Sequence, residues 1–482
     1  MTEVQKRNKT IVFEKITLYL FGAIMAIYQL ICCNNNAIWC DEAYSVDLAR
    51  ASFRDTIYQT AIDVHPPLHY IELKILGRLF GFHGFVIHLA AWIPFFLLLL
   101  VTVTLFYKKF GFEASFIFLL LVTCIPCSVT NSTQIRMYSL AIFLVTMCFY
   151  YEYEIVNEPK KSNWILMTFF GIAAAYSHYF AFAAVCAIYG CLFLTLLFTN
   201  KKQLKNFAIC SFLSLVSYAP WLSYFIKSII RVNKGFWVSE VPGLWECISF
   251  LFGDGLCGVA LFGIYIITLL LIVLSVFGIG LKKLHISISD KESIGVLTAF
   301  FVNVIVFLFG IGYSILIRPM FLSRYLYTFA GVVWLGFSIG LSKITKRKIV
   351  FIVVAAVILG FNISNIASKL VFQNKIDKET IETVNYIEEN YDDSTIMISN
   401  WGQFTDRIFD YYLPDKLGED WDSANWTDIA NFQTVYFFGD SEMSDEYVNI
   451  LHQNGFNEIV LLKETYLGRY PVYLYYIAHG AN

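Results

Sequence analysis

The stretch FVIHLAAWIPFFLLLLVTVTLFY, residues 85–107, contains no acidic or basic residue apart from one histidine. About 20 apolar residues in a helix cross the ~30 Å hydrocarbon core of a bilayer. Backbone groups in hydrocarbon must be satisfied internally, so this stretch predicts a membrane-spanning helix. Ten further hydrophobic runs predict about eleven spans in all: 16–33, 114–130, 137–154, 164–179, 181–199, 207–229, 256–281, 294–317, 322–342 and 349–368.

The composition agrees with a polytopic α-helical membrane protein. Of the 482 residues, 57% are hydrophobic and 15% are charged, against about 25% charged in a soluble domain. The net charge of −2 gives no support for a nucleic-acid partner. The 11 cysteines are scattered, in neither a zinc spacing nor a disulfide framework. Cys32, Cys33 and Cys40 lie close enough in sequence to pair, but inert thiols are the expectation.

The cations predict the orientation, with the N-terminus inside. The inner segments hold 18 of the 35 Lys+Arg, and the outer segments before the tail hold ten. Only two of the inner cations are arginine, against seven of the outer ones. A guanidinium binds phosphate or carboxylate in a bidentate way, so these arginines predict either an anionic ligand or local ion pairs. They are Arg50, Arg54, Arg78, Arg136, Arg231, Arg318 and Arg324.

Two parts outside the spans predict further structure. In the membrane domain, residues 1–369, the long first outer loop 34–84 contains amphipathic stretches at Ala43–Ala51 and Tyr70–Phe80, which predict helices along the membrane surface. Residues 370–482 predict a small extracytoplasmic α/β domain. Its predicted elements are a helix at Ile381–Asn390 and strands at Thr395–Ser399, Thr434–Phe438, Glu458–Leu462 and Val472–Tyr476.

Two motifs in the first loop can carry chemistry. Asp41-Glu42 places two carboxylates near the lipid surface, where they are costly unless paired or used. One of them can take the proton of an acceptor, or both can stabilise a helix N-terminus. Asp63-Val64-His65-Pro66-Pro67 is a rigid turn. Asp63, His65 and His178 can bind a divalent metal, although a hydrogen-bonded turn is the favoured interpretation.

Further polar residues lie at the predicted outer ends of spans. The segment with Arg136 and Tyr138 opens the fourth span, His178-Tyr179 lies between the fifth and sixth, and the segment with Arg324-Tyr325 links the ninth and tenth. The topology therefore predicts that Asp41, Asp63 and these residues share one membrane face. Charges at such positions mark substrate paths more often than lipid contacts. A phosphate clamp by Arg136 and Arg324 beside a carboxylate base is the predicted site.

The ordered set Asp41-Glu42, Asp63-x-His65-Pro66-Pro67-Leu68, Arg136-x-Tyr138, His178-Tyr179 and Arg324-Tyr325 resembles the protein O-mannosyltransferase and aminoarabinose-transferase group of GT-C glycosyltransferases. The resemblance covers roughly residues 10–345. It implies a GT-C fold and inverting transfer, metal-independent or metal-assisted, from a dolichyl- or undecaprenyl-phosphate sugar to an extracytoplasmic acceptor. The acceptor is a protein, a lipid or a cell-wall polymer.

The same resemblance implies roles for individual residues. Asp41 is the general base, with Glu42 beside it, and Asp63 and His65 shape the acceptor or metal side. The lipid phosphate is bound by Arg136, Tyr138, His178, Tyr179, Arg324 and Tyr325. The chain has no room for the β-trefoil domain of eukaryotic protein mannosyltransferases, so it resembles bacterial members in a cell membrane.

Two other functions compete with this interpretation. A transporter or flippase of an amphipathic substrate has matched halves with broken helices and polar groups near the midplane, a pattern not evident here. A non-catalytic scaffold that binds a partner through its acidic tail leaves the first-loop motifs unexplained. On the enzymatic interpretation, deletion of the residues after 370 is expected to alter only acceptor choice or stability.

Overall fold

A computed structural model describes residues 3–277, 289–344, 348–402 and 404–480. The end of the predicted span 256–281 lies outside the described residues. The α-helices up to residue 344 are α1 (Glu3–Cys32), α2 (Cys40–Arg50), α3 (Phe53–Ile62), α4 (Leu68–Phe80), α5 (Gly84–Val101), α6 (Tyr107–Phe110), α7 (Phe112–Cys124), α8 (Pro126–Asn131), α9 (Tyr138–Asn157), α10 (Lys161–Ala175), α11 (Tyr179–Thr199), α12 (Leu204–Lys234), α13 (Leu244–Phe252), α14 (Gly255–Val276), α15 (Asp290–Leu316) and α16 (Tyr327–Ile344). A 3₁₀ turn, Ser323–Leu326, precedes α16, and a π-helical turn, Thr102–Phe106, joins α5 to α6.

Within the described ranges, nine helices are long and apolar enough to cross a membrane. They occupy nine of the eleven predicted spans, so the protein is a multi-pass membrane protein. The other two predicted spans, 114–130 and 164–179, hold the shorter helices α7 and α10, of 13 and 15 residues. At 1.5 Å per residue these helices are only about 20 and 22 Å long. Ile125 is extended before Pro126 and ends α7, because proline disfavours a helical residue before it.

The chain divides into two compact units. The first contains Met1–Ile31, Ser52–Glu72 and His88–Ala367. The second contains Cys32–Ala51, Leu73–Ile87 and Ser368–Asn482. The tail therefore forms one unit with two pieces of the first loop, which the predicted division at residue 370 leaves out. The amphipathic stretches of that loop are helical, as α2 and α4.

In the first unit, α16 is the most enclosed of the nine candidate spans. Of its most apolar 18-residue window, 94% is buried. Glycines permit close approach to its neighbours: a Cβ added at Gly331 would meet the Thr146 Oγ1 of α9 at 2.0 Å, and one at Gly336 would meet Ala299 of α15 at 2.4 Å. Small residues at such positions let membrane helices pack without a hydrophobic driving force.

The second unit is built on a five-stranded sheet among the described residues. Its strands are β1 (Thr395–Ser399), β2 (Gly418–Asp420), β3 (Thr434–Gly439), β4 (Phe456–Leu467) and β5 (Tyr470–His479), in the order β2-β1-β3-β5-β4. β1 is parallel to β2 and β3, and β5 is antiparallel to β3 and β4. All four predicted strands are confirmed.

The helices of this part are α17 (Lys348–Asn390), α18 (Asp410–Tyr412), α19 (Trp426–Ile429) and α20 (Asp445–Gln453). The predicted helix Ile381–Asn390 is the end of α17, which is continuous with the last span. A fully buried core of Ile398, Val435, Phe437 and Ile477 supports the sheet.

We predict that Gly331→Leu weakens the packing of α16 on α9. Overpacking of a close contact costs about 1–3 kcal/mol, so the melting temperature in detergent is expected to fall. Gly312→Leu is the matched control, because a Cβ at Gly312 of α15 meets nothing within 4 Å. Equal melting temperatures for the two variants would contradict the close packing.

Candidate active site

His178 lies at the start of α11, where it caps the helix. Its Nδ1 accepts a hydrogen bond from the Phe180 N–H at 3.1 Å, which satisfies one of the free amides of the first turn. The side chain is buried. Burial and the positive charges of His65, Arg136 and Arg324 hold the pKa of His178 well below its usual value. The neutral ring therefore carries its proton on Nε2.

Asp63, His65 and Arg136 form a connected polar chain in the same unit. The Asp63 Oδ2 lies 3.2 Å from the His65 Nδ1, and the His65 Nε2 lies 3.5 Å from the Arg136 Nη2. Burial alone would raise the pKa of Asp63. The hydrogen bond and charge of His65, the Val64 backbone and the Arg136 charge outweigh burial and lower this pKa to about 2. Asp63 is thus an anion and a weak base, suited to orienting His65.

The local sequence explains why these groups are fixed. Asp63 ends α3 as its extended C-cap, and the proline pair Pro66-Pro67 leads into α4. The Leu68 N–H, near the start of that helix, donates to the Tyr176 carbonyl at 3.0 Å. This bond ties the turn that contains His65 to the segment between α10 and α11, which carries His178.

Aromatic rings surround His178. The ring of Tyr325 is 5.1 Å from the ring of His178, that of Tyr138 is 5.7 Å away and that of His65 is 6.1 Å away, measured between centroids. The Arg324 guanidinium lies 5.7 Å from the ring centroid of Trp237. Rings on these sides shield the site from water and strengthen its electrostatic interactions.

Tyr179, next to His178, is held by a separate set of contacts. Its hydroxyl accepts a hydrogen bond from the Trp221 Nε1 at 3.4 Å and is also hydrogen-bonded to the Ser228 side chain. The charges of Asp63 and Arg231 both act on this hydroxyl. Within the described part of the chain, the buried Nη1 of Arg231 has no hydrogen-bond partner. Arg231 was singled out in the sequence only as one of seven outward arginines.

A cavity of about 740 Å³ begins at these groups. His65, His178 and Tyr325 line it together with residues of α11, α12 and α15. On α11 the lining runs from Tyr179 to Leu194, a length of about 22 Å at 1.5 Å per residue. Most of its lining residues are apolar. The cavity is therefore long and apolar, with imidazole and phenol groups at the start of α11.

On α4, His69 is fully buried and Glu72 is partly buried. Burial lowers the pKa of His69 to about 3, together with the charge of Arg136, although a hydrogen bond to the Ile135 backbone opposes the shift. Burial raises the pKa of Glu72 to about 8. Both groups are neutral at pH 7, so the 3.9 Å approach of the His69 Nδ1 and the Glu72 Oε2 is not an ion pair.

Asp41 and Glu42 belong to the second unit, in the first turn of α2. Glu42 is completely buried. Its Oε2 accepts from the Trp39 N–H at 3.1 Å, and its Oε1 lies 3.4 Å from the Arg469 Nη2. Asp41 is only partly buried. The two carboxylates therefore differ in their surroundings, because Glu42 forms a helix cap and an ion pair.

Metal ligands do not converge at this site. Among the described residues, no three His, Cys, Asp or Glu side chains are grouped so that they could hold a metal ion. Asp63, His65 and His178 therefore do not form a ligand set. The eight cysteines from Cys124 to Cys257 are free thiols.

No family model and no curated protein matches the sequence. Two solved structures of ArnT from Cupriavidus metallidurans do match, one in the apo state and one bound to undecaprenyl phosphate. They are 12% and 13% identical, each with a TM-score of 0.45 over 96% of this chain and 98% of the other.

We predict that Glu72→Gln stabilises the protein more at high pH than at low pH. The pKa of Glu72 is raised in the folded state, so this residue costs increasing stability as the pH rises from about 4.5 to 8. Glutamine removes that cost because it does not titrate. The melting temperature of the variant should exceed that of the wild type at pH 8, and the gap should close near pH 5.

The exposed Glu389→Gln is the matched control for this titration, with a melting-temperature gap that stays constant over the same pH range. A gap for Glu72→Gln that is equally independent of pH would mean that Glu72 is ionised in the folded protein.

Proposed function

We propose that this protein is an inverting glycosyltransferase that moves a hexose or pentose from a polyprenyl-phosphate donor to an extracytoplasmic acceptor. The acceptor is a protein, a lipid or a cell-wall polymer, and the enzyme works on the outer face of the cell membrane. The observation that carries this proposal is the long apolar cavity of the first unit, which has His65, His178 and Tyr325 in its lining. The ordered motifs in the sequence support the same reaction.

The cavity suits a lipid with an anionic head. An apolar cavity lined along about 22 Å of α11 fits an extended polyprenyl chain better than a compact solute. Arg136 and Arg324 both lie close enough to His178 to depress its pKa, so positive charge is concentrated at the start of α11. That helix N-terminus adds a partial positive charge of its own. A phosphate diester placed there meets donors on several sides.

These groups would act on the leaving phosphate. A sugar linked to phosphate needs no acid for departure if the charge that develops on the phosphate oxygens is stabilised. The guanidinium groups of Arg136 and Arg324 and the Nε2–H of neutral His178 are the donors assigned to that charge. Tyr138, Tyr179 and Tyr325 complete the wall around the head group. The carboxylate of Asp63 orients His65, whose ring lies between Asp63 and Arg136.

The transfer step balances with one base. The acceptor hydroxyl or amine attacks the anomeric carbon and forms a new bond there, while the bond from that carbon to the phosphate oxygen breaks. The bonding pair leaves with the polyprenyl phosphate, and the acceptor proton goes to a carboxylate. We assign this proton to Asp41 because Glu42 is already engaged by Trp39 and Arg469. A single displacement of this kind inverts the anomeric configuration.

The lipid chain is tested by Gly190→Phe. Gly190 lines the cavity, and a Cβ there meets nothing within 4 Å, so the new ring should occupy space assigned to the polyprenyl chain without disturbing the packing. We expect the KM for an undecaprenyl-phosphate sugar to rise at least about tenfold, which corresponds to about 1.4 kcal/mol. The KM for a two-isoprene donor should change much less.

The matched control for the cavity is Gly263→Phe on α14, a helix with no lining residue, where a Cβ also meets nothing within 4 Å. It should leave the KM for both donors unchanged. If Gly190→Phe has no effect on the long donor, the polyprenyl chain does not lie in this cavity and the donor assignment loses its main support.

The base is tested by Asp41→Asn, measured as sugar transfer in proteoliposomes. Removal of a general base costs about 10²–10⁴-fold in rate, so turnover should fall by that factor while binding of the donor persists. Lys416→Gln, a cation variant elsewhere in the second unit, should retain full turnover. Full activity of Asp41→Asn would end the base assignment.

A further inference from the structure

The second unit ties the first-loop segment that carries Asp41 to the C-terminal tail. The Tyr412 hydroxyl accepts from the Ile38 N–H at 2.8 Å and donates to the Asn36 carbonyl at 2.7 Å. The Asn36 N–H donates in turn to the Asp377 Oδ1 at 2.5 Å. The backbone leading into α2 is therefore fixed by residues more than 340 positions further along the chain.

The turn between β4 and β5 makes a second set of contacts. The Arg469 N–H donates to the Ile38 carbonyl at 3.1 Å, and the Tyr470 hydroxyl accepts from the Cys40 N–H at 3.1 Å. Gly468 has a φ of +62°. A Cβ there would lie 2.2 Å from the Ile38 carbonyl oxygen, so this close approach requires glycine. The tail thus binds the backbone of Cys40, the residue directly before Asp41.

The Arg469 side chain reaches the carboxylate next to Asp41. Its Nη2 lies 3.4 Å from the Glu42 Oε1, and its Nε donates to the Ala37 carbonyl at 3.4 Å. Glu42 is 0% exposed and caps α2 through the Trp39 N–H. Removing one partner of a buried ion pair leaves the other charge less compensated, although Lys369 also interacts electrostatically with Glu42. The first turn of α2, with Asp41 in it, therefore depends on Arg469.

The rest of α2 is held by the same unit. The Arg407 guanidinium lies 4.8 Å from the ring centroid of Tyr44, and the Arg50 guanidinium lies 5.2 Å from that of Tyr411. The Lys74 ammonium donates to the Ala49 carbonyl at 2.8 Å. These contacts fix the position of the helix as a whole, so that a change at Arg469 acts mainly on its first turn.

We propose that Arg469 is a positioning residue for Asp41, and that Tyr412 and Tyr470 assist it. The tail is then part of the catalytic apparatus, and neither a separable acceptor-binding module nor a scaffold. This inference rests on the proposed function, in which Asp41 is the base. It replaces the expectation that deletion after residue 370 alters only acceptor choice or stability, because that deletion removes the ion-pair partner of Glu42.

The mechanism acts through geometry. A misplacement of about 1 Å in a reacting group can cost 10²-fold in rate. Without Arg469, the Glu42 carboxylate loses the contact at its Oε1. The cap on the Trp39 N–H then weakens and the first turn of α2 moves.

The test compares Arg469→Gln, Arg469→Lys and the double variant Glu42→Gln/Arg469→Gln in the full-length protein in proteoliposomes. We expect Arg469→Gln to lower kcat about 10–100-fold and to lower the melting temperature, because it breaks a buried ion pair, while the Kd for an undecaprenyl-phosphate sugar stays close to wild type. The kcat of Arg469→Lys should lie between those of Arg469→Gln and the wild type. The double variant should have a higher kcat than Arg469→Gln, because it also removes the carboxylate charge that Arg469 faces.

Lys416→Gln is the matched control, since Lys416 stacks on Tyr391 within the same unit and should keep wild-type kcat. If Arg469→Gln does not fold, Tyr470→Phe removes only the acceptor of the Cys40 N–H and should lower kcat several-fold at unchanged donor Kd.

Two outcomes would overturn the inference. One is full kcat in folded Arg469→Gln or Tyr470→Phe when Asp41→Asn is inactive. The other is a loss of kcat that is matched by an equal loss of donor binding, which would indicate only a structural role. Full activity of Asp41→Asn is a separate result, since it removes the base assignment itself.

Discussion

The buried positive charge of Arg136 is the constraint on which the rest of the candidate site depends. Its side chain is only 3% exposed, and a charge kept from water is costly without compensating partners. Asp63 supplies one negative charge. It is linked to Arg136 through His65, whose Nδ1 lies 3.2 Å from the Asp63 Oδ2 and whose Nε2 lies 3.5 Å from the Arg136 Nη2. Arg324 adds a second positive charge to the same surroundings. On the proposed function, the phosphate of the donor is the anion that both guanidinium groups would bind.

The same charge sets the protonation of its neighbours. Arg136 contributes to the lowered pKa values of Asp63, His69 and His178. Asp63 consequently stays ionised, while both histidines stay neutral and can donate or accept hydrogen bonds without adding charge. None of the three is a strong base at neutral pH. For this reason the proposed reaction assigns the proton of the acceptor to a different group, Asp41.

Much of the fold could be predicted from the sequence because membrane helices and short strands follow local patterns. Hydrophobic length located nine spans, and alternation located the strands of the tail. It failed for 114–130, where the run continues past Pro126 although the helix ends at Cys124. Hydropathy does not register a break of this kind. Hydropathy also predicted a helix that extends too far at 164–179, because α10 ends at Ala175, before the His178 cap of α11.

The candidate site was predicted only in part. His65, Arg136, His178 and Tyr325 are brought together as expected, because the ends of successive spans return to the same face. The contact of Arg469 with Glu42 joins residues 427 positions apart, and no local pattern marks it. The burial of Glu42 likewise could not be predicted, because the sequence shows Asp41 and Glu42 only as adjacent carboxylates.

The central claim is that a polyprenyl chain lies along α11 with its phosphate among the arginines. The most direct measurement is photo-crosslinking with a polyprenyl phosphate that carries a photoreactive group far from the phosphate, followed by peptide mapping. The account predicts labels on α11, α12 and α15 near Gly190 and Leu194. Labels on the shallow groove of α17 at Val353–Phe361, or spread evenly over the lipid-facing helices, would contradict it.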